Sequence, residues 1–163
     1  MNQDLALFEA QVRELGDALR ARGLLLASAE SCTGGLIAAA CTTLAGSSDW
    51  FDAAFVTYSN AAKSAQLGVP AALIDAHGAV SDEVVRAMAE GALTRSQAGV
   101  VVAVTGIAGP SGGSAAKPVG TVWLAWARRG DALHSERLQL AGDRAAVRMQ
   151  TVQRALQRAR ELL

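Results

Sequence analysis

Three side chains with exchangeable protons stand in a row in "LLLASAESCTGG", Leu24 to Gly35: Ser31, Cys32 and Thr33. Glu30 precedes them, Gly34 and Gly35 follow, and a new apolar run, "LIAAA", begins at Leu36. A short buried strand over Leu24–Ala27 feeding a helix over Thr33–Leu44 puts this cluster at a strand-to-helix turn. Open α/β sheets bind ligands at such carboxyl ends, and the free N–H groups of a helix start attract anions. The cluster therefore reads either as an ordinary helix cap by Ser31 or Thr33, or as a site. Three hydroxyl or thiol groups exceed what a cap requires. Cys32 is a nucleophile only if a neighbour lowers its thiol pKa, and no histidine stands near it in a motif. Buried, inert cysteine is the common alternative.

A general base for a serine is found elsewhere. Of 15 basic residues only Lys63 and Lys117 are lysines; the other 13 are arginines. Arginine keeps its proton, whereas burial can make a lysine neutral and basic at ordinary pH. Serine activated by lysine is an established variant of the triad logic. In "VTYSNAAK" the single tyrosine, Tyr58, stands at a strand end, with Lys63 in the next helical turn. Tyr58 then either relays the proton or holds the lysine. A solvated surface lysine is the competing reading, and the pattern alone does not bring Ser31, Tyr58 and Lys63 together.

The third candidate is "TGIAGPSGG", with Thr105, Gly106, Gly109, Pro110, Gly112 and Gly113. It follows a buried strand, which suits a backbone cradle for an anion. It is neither the G-x-x-x-x-G-K-[ST] loop nor G-x-G-x-x-G. A mobile glycine loop is the alternative. Lys117 lies further along this loop and either touches ligand or is exposed. His77 and His134 are assigned no chemistry. No Asp, Glu, His or Cys group has metal spacing, and Cys32 and Cys41, nine apart, fit no zinc or redox motif.

The elements that must position these residues follow from periodicity. Leu5, Phe8, Val12, Leu15 and Leu19 recur at helical spacing up to Gly23. "AAFVTYS" (53–59) is a strand, and Asn60 caps a helix to Leu67. Pro70–Ala76 is a short helix. Ser81 caps another, with Asp82 and Glu83 suiting the dipole and an apolar face of Val84, Val85, Met88, Ala89, Ala92 and Leu93. "GVVVAVTG" (99–106) is a strand buried on both faces. "TVWLAWA" and "ALHSERLQL" are strands around "RRGD", and Asp143 caps the last helix. Alternating helices and strands followed by two adjacent strands predict one domain over 1–163, a three-layer α/β/α sandwich with a mixed, mostly parallel sheet.

Composition narrows the partners. With 15 basic and 15 acidic residues, formal net charge is zero and no basic face for nucleic acid is implied. Aromatics make up 4%, too few for a base-stacking platform. No apolar run approaches the ~20 residues of a membrane span, and the N-terminal stretch has no apolar signal core. A cytoplasmic protein with reduced cysteines is expected.

In this order, "AESCTGG", "VTYSNAAK", "LGV", "HGAVS", "VTGIAGPSGG" and "KPVGTVWLA" resemble the C-terminal domain of the CinA competence/damage-inducible proteins, from about Leu5 to Leu163. Stand-alone members of that family are nicotinamide-nucleotide amidohydrolases. The resemblance implies hydrolysis of nicotinamide mononucleotide (NMN) to nicotinic acid mononucleotide (NaMN) and ammonia, without cofactor or metal. Its serine, tyrosine and lysine map onto Ser31, Tyr58 and Lys63. Cys32, Thr33, Gly34 and Gly35 become a helix start and oxyanion cradle, and the 105–113 loop with Arg144 the holder of the ribose phosphate. The partner is then a small nucleotide, and a homo-oligomer is expected. The longer relatives carry an additional N-terminal domain for which 163 residues leave no room, so activity linked to it is not expected here. A nucleotide-binding or regulatory module without turnover is the alternative, and ammonia release separates the two.

Overall fold

The computed structural model of the chain describes residues 5–163; residues 1–4 of the expected domain lie outside the described residues. The elements run α1 (Glu9–Arg22), β1 (Leu26–Glu30), α2 (Leu36–Cys41), a 3₁₀ turn (Ser47–Asp49), β2 (Phe51–Val56), α3 (Asn60–Leu67) and α4 (Ala71–His77). They continue with α5 (Asp82–Arg95), β3 (Val100–Gly106), β4 (Thr121–Arg128), β5 (His134–Gln139) and α6 (Arg144–Glu161). The sheet order is β2-β1-β3-β4-β5. β1 pairs in parallel with β2 and β3, while β4 is antiparallel to both its neighbours. Four strands thus share one direction and β4 alone opposes them, the mixed sheet expected from the sequence.

Both faces are covered, giving the three layers. Alternation along the central strands divides their side chains between two cores. Leu26, Val100, Val102 and Val104 meet α1, α2 and α6 through Val12, Leu15, Ile37, Val152 and Leu156. Ala27, Ala29, Val101 and Ala103 meet α3, α4 and α5 through Leu67, Ile74, Val84, Val85 and Met88. The alanines on the second face leave room for α5 to lie close. Gly91 in α5 backs onto the Leu67 carbonyl of α3, where any Cβ would collide with backbone. Trp126 Nε1 donates to the Ala155 carbonyl at 3.1 Å and ties β4 to α6.

The boundaries differ from expectation where polar side chains compete. β1 extends through Glu30, and the following helix spans only Leu36–Cys41. The reason is Glu30, fully buried. Its carboxylate accepts from Ser28 Oγ (3.0 Å), Thr33 Oγ1 (2.7 Å), and the N–H groups of Gly35 (3.0 Å), Ile37 (3.0 Å) and Ala38 (2.9 Å). The side chain of the strand caps the helix it feeds, and residues 31–35 become the turn between them. Gly34 and Gly35 take that turn at φ +58 and +95, a region that costs side-chained residues 1–2 kcal/mol or so. Helix α3 is capped by Ser59, which accepts from Ala62 N–H, rather than by Asn60. Ser81 and Asp143 cap α5 and α6 as expected.

Glu30→Ala strands three backbone donors and two hydroxyls in the interior. At about 1–3 kcal/mol for each unsatisfied buried group, the expected loss is at least about 3 kcal/mol in urea unfolding, with Glu30→Gln intermediate. A loss under about 1 kcal/mol for Glu30→Ala would contradict this anchoring role.

Candidate active site

The sheet order reverses between β1 and β3: the chain leaves β1 for β2 on one side and returns to β3 on the other. Ligands bind at the carboxyl edge beside such a switch point. The turn after β1, the β2–α3 connection, the loop after β3 and the start of α6 all meet there. They enclose a cavity of about 290 Å³ lined by Ser31, Cys32, Tyr58, Lys63, Thr105–Gly109, Ser111–Gly113 and Arg144, among others.

Ser31 and Lys63 come together at its floor. Ser31 N–H donates to the Val104 carbonyl at 3.1 Å, which fixes the turn against β3. Lys63 Nζ lies 2.9 Å from Ser31 Oγ and donates to the Thr57 carbonyl at 2.9 Å. Lys63 is 1% exposed. Among the described residues it forms no ion pair. Burial without a carboxylate penalises the ammonium form and lowers the lysine's pKa below its ordinary 10.5.

Among the described residues no hydrogen bond joins Lys63 or Ser31 to Tyr58, which was expected either to relay the proton or to hold the lysine. It is 57% exposed. Its hydroxyl accepts from Arg144 Nη2 at 2.6 Å, and Arg144 Nη1 donates to the Gly109 carbonyl at 2.9 Å. Arg144 therefore spans the cavity mouth between the β2–α3 connection and the glycine loop. As the first residue of α6, it puts a cation where the helix dipole disfavours one. That cost and the position favour an anionic ligand there.

The cradle expected over residues 33–35 is occupied by the protein itself. The Gly35, Ile37 and Ala38 N–H groups serve Glu30, as does the Thr33 hydroxyl. Thr33 is fully buried, and its carbonyl accepts from Arg148 Nη2 at 2.8 Å. Thr33, Gly34 and Gly35 stand outside the cavity lining, whereas Cys32 is part of it. Among the described residues, neither the Cys32 nor the Thr33 N–H donates to another residue.

The glycine loop does line the cavity, through Gly106, Gly109, Gly112 and Gly113. Gly106 is required by close packing: a Cβ there would sit 3.1 Å from Cys32 Sγ and 2.8 Å from Val122 Cγ2. Thr105 borders the cavity, but its hydroxyl donates to the Ala79 carbonyl at 2.8 Å. Pro110 instead borders an adjoining cavity with Val119, Arg144 and Arg148. Lys117 donates to the His77 carbonyl at 2.8 Å and ties the loop to the end of α4. The sequence reading missed Glu30 and Arg148. An acid closing a buried strand just before a helix start was the available signal for the first, and the i+4 spacing from Arg144 for the second.

An α/β/α domain with a buried serine–lysine pair at its switch point belongs to the class of open-sheet proteins with a carboxyl-edge site. Residues 9–163 match the CinA C-terminal domain, and the chain belongs to that family. It is 59% identical over 142 residues to the nicotinamide-nucleotide amidohydrolase PncC of Pseudomonas putida, covering 87% of this chain and 88% of that one. Its identity to the PncC of Escherichia coli (strain K12) is 52% over 145 residues, 88% and 87% of the two chains. The crystal structure of the competence/damage inducible protein CihA from Agrobacterium tumefaciens matches with a TM-score of 0.93 at 45% identity, over 98% of this chain and 95% of that one.

Cys32 is 5% exposed, and burial pushes its thiol up to about 11; burial also raises the Cys41 thiol. Both should resist iodoacetamide in the native protein near pH 8 and react after denaturation, read by mass spectrometry. Rapid native alkylation of Cys32 would contradict its placement.

Proposed function

We propose that this protein hydrolyses the carboxamide of nicotinamide mononucleotide, giving nicotinic acid mononucleotide and ammonia, with Ser31 as nucleophile and Lys63 as general base. The observation that carries the reading is the buried 2.9 Å contact between Lys63 Nζ and Ser31 Oγ, with no ion pair to Lys63 among the described residues. The names of the relatives supply the substrate class.

In the neutral amine, one N–H remains on the Thr57 carbonyl and the lone pair faces the Ser31 hydroxyl. Lys63 takes the hydroxyl proton as Oγ attacks the amide carbon, then returns it to the departing nitrogen, which leaves as ammonia. Water enters, Lys63 accepts its proton, and the collapsing intermediate releases the acid and restores Ser31. The Cys32 N–H group, in the cavity lining and without a protein acceptor among the described residues, is the donor for the oxyanion, one such donor being worth about 3 kcal/mol. Arg144 exchanges its Tyr58 and Gly109 partners for the substrate phosphate, and Tyr58 closes the mouth over the ribose. Cys32 serves as wall, since its thiol stays protonated near neutral pH.

Ser31→Ala should abolish ammonia release from NMN while leaving the circular dichroism spectrum unchanged. Lys63→Arg should be as damaging as Lys63→Ala, because a guanidinium cannot accept the serine proton. General-base assistance is worth roughly 10²–10⁴-fold. The wild-type rate should rise with pH and level off below 10.5, because only the neutral lysine acts and burial lowers its pKa. A folded Lys63→Arg protein with wild-type turnover would remove lysine from the mechanism. NMN binding without ammonia release would make the protein a binding module.

A further inference from the structure

The cavity has a charge composition that the reaction itself does not require. Among the described residues no carboxylate lines it, and its charged side chains are Lys63 and Arg144. The surrounding ionisable groups are otherwise engaged or distant from the floor. Glu30, from β1, has both oxygens bonded toward α2. Cys32, from the same turn, carries a neutral thiol, and Tyr58, ahead of α3, holds Arg144. Arg148, on α6, is bonded to the Thr33 carbonyl. His77, ending α4, faces Glu83 of α5 at 3.3 Å. Asp82 of α5 and Lys117 of the loop stand outside the cavity lining. Asp143 caps α6 and lines the adjoining cavity, and among the described residues no carboxylate in this cavity's lining supplies a counter-charge for a cationic ring.

This bears on the amidohydrolase reading, on which the following inference rests. NMN and NaMN share a pyridinium ring, a ribose and a phosphate. They differ at the reacting group alone: a neutral amide before the reaction, a carboxylate after it. That group must lie within attack distance of Ser31 Oγ, and Lys63 Nζ is 2.9 Å from the same oxygen. We propose that Lys63 also sorts substrate from product: its neutral amine admits the cationic amide, and its ammonium form retains the acid. An ammonium at about 6 Å from a pyridinium, at an effective dielectric near 20, disfavours binding by roughly 100-fold. Beside the new carboxylate the same ammonium is attracted instead.

The proton balance of the cycle leads to that second state. During acylation Lys63 receives the Ser31 proton and passes it to the leaving nitrogen. During deacylation it receives a proton from water and returns it to Ser31 Oγ. The acid so formed, RCOOH, ionises, and Lys63 takes that proton. The product complex is therefore an ammonium–carboxylate pair, and NaMN departs readily only after Lys63 loses its proton to solvent. Substrate binding and product release then both favour the neutral lysine.

The test uses Ser31→Ala, which binds both nucleotides without turnover. Dissociation constants for NMN and NaMN are measured by calorimetry from about pH 7 to about pH 9.5. Their ratio is read, so that the shared phosphate and ring cancel. The expected result is a Kd(NaMN)/Kd(NMN) ratio that rises with pH, by up to about tenfold per pH unit, the limit for one linked proton. Repeating the titrations in buffers of different ionisation enthalpy should show proton release on NMN binding and proton uptake on NaMN binding. In Ser31→Ala/Lys63→Met the ratio should be flat, with the fold confirmed by circular dichroism. A flat ratio in Ser31→Ala would overturn the sorting role, as would a slope that survives removal of Lys63. Wild-type ammonia release is followed in parallel. Release together with a flat ratio overturns the sorting role alone, whereas no release overturns the amidohydrolase reading and the sorting role with it.

Discussion

The carboxylate of Glu30 is the interaction on which the site's geometry depends. A single buried side chain satisfies three N–H groups at the start of α2 and two hydroxyls. An N-terminal helix turn normally leaves such donors to a cap, to water or to a ligand. Here the anion is built in and comes from the strand that leads into the helix. The turn 31–35 is consequently pinned at both ends, by Glu30 and by the Ser31–Val104 backbone bond. Ser31 has little freedom left, as the nucleophilic role proposed for it would require.

The same arrangement decides which donors remain for chemistry. Had the helix start been open, its N–H groups would have been the natural phosphate site. With Glu30 in place, the N–H groups of Cys32 and Thr33 are, among the described residues, the ones in this turn without a protein acceptor, and under the proposed reaction the substrate phosphate would fall to Arg144. In the proposed reaction the phosphate and the reacting amide would lie at opposite ends of the cavity. Arg144 stands at the mouth, bonded to Tyr58 and Gly109, and Lys63 at the floor, bonded to Ser31 and Thr57. One arginine that is always charged and one lysine whose charge can change suit these separate tasks.

Much of this was legible in the sequence. The alternation of apolar runs revealed the layers, since a strand such as "VVVAV" buries side chains on both faces and a helix such as α6 repeats at three and four. The rarity of lysine in an arginine-rich chain singled out Lys63 on chemical grounds, and the fold brings it to Ser31. What was not legible depended on tertiary partners. The end of β1 and the start of α2 were misjudged because Glu30 acts across seven and eight residues, on Ile37 and Ala38. The pattern alone does not bring Tyr58 and Lys63 together; their joint role is what the family resemblance implies. Both side chains line the same cavity, and Arg144, 86 positions away, takes the tyrosine hydroxyl. Thr105 was named as part of the ligand-holding loop; its hydroxyl donates to the Ala79 carbonyl, a partner that only the tertiary fold supplies.

The features that oppose folding gather at this one edge of the sheet. Among the described residues Lys63 is buried without a counter-ion and Thr57 Oγ1 without a partner, and Arg144 begins a helix. Each breaks a local rule, and such exceptions are expected where function overrides stability. The lysine's cost also has a direction in pH. Its pKa is ordinary in the unfolded chain and lowered in the fold. The unfolded chain therefore binds more protons in the interval between the two values, so this residue's penalty shrinks as pH rises through that interval toward 10.5 and is full below it. The penalty is offset by elements that carry no chemistry: the saturated Glu30 carboxylate, the capped starts of α3, α5 and α6, and the two closely packed helix layers. A lysine buried beside a serine, its ammonium form penalised by desolvation, is expensive to keep in a protein interior, and those elements offset that cost.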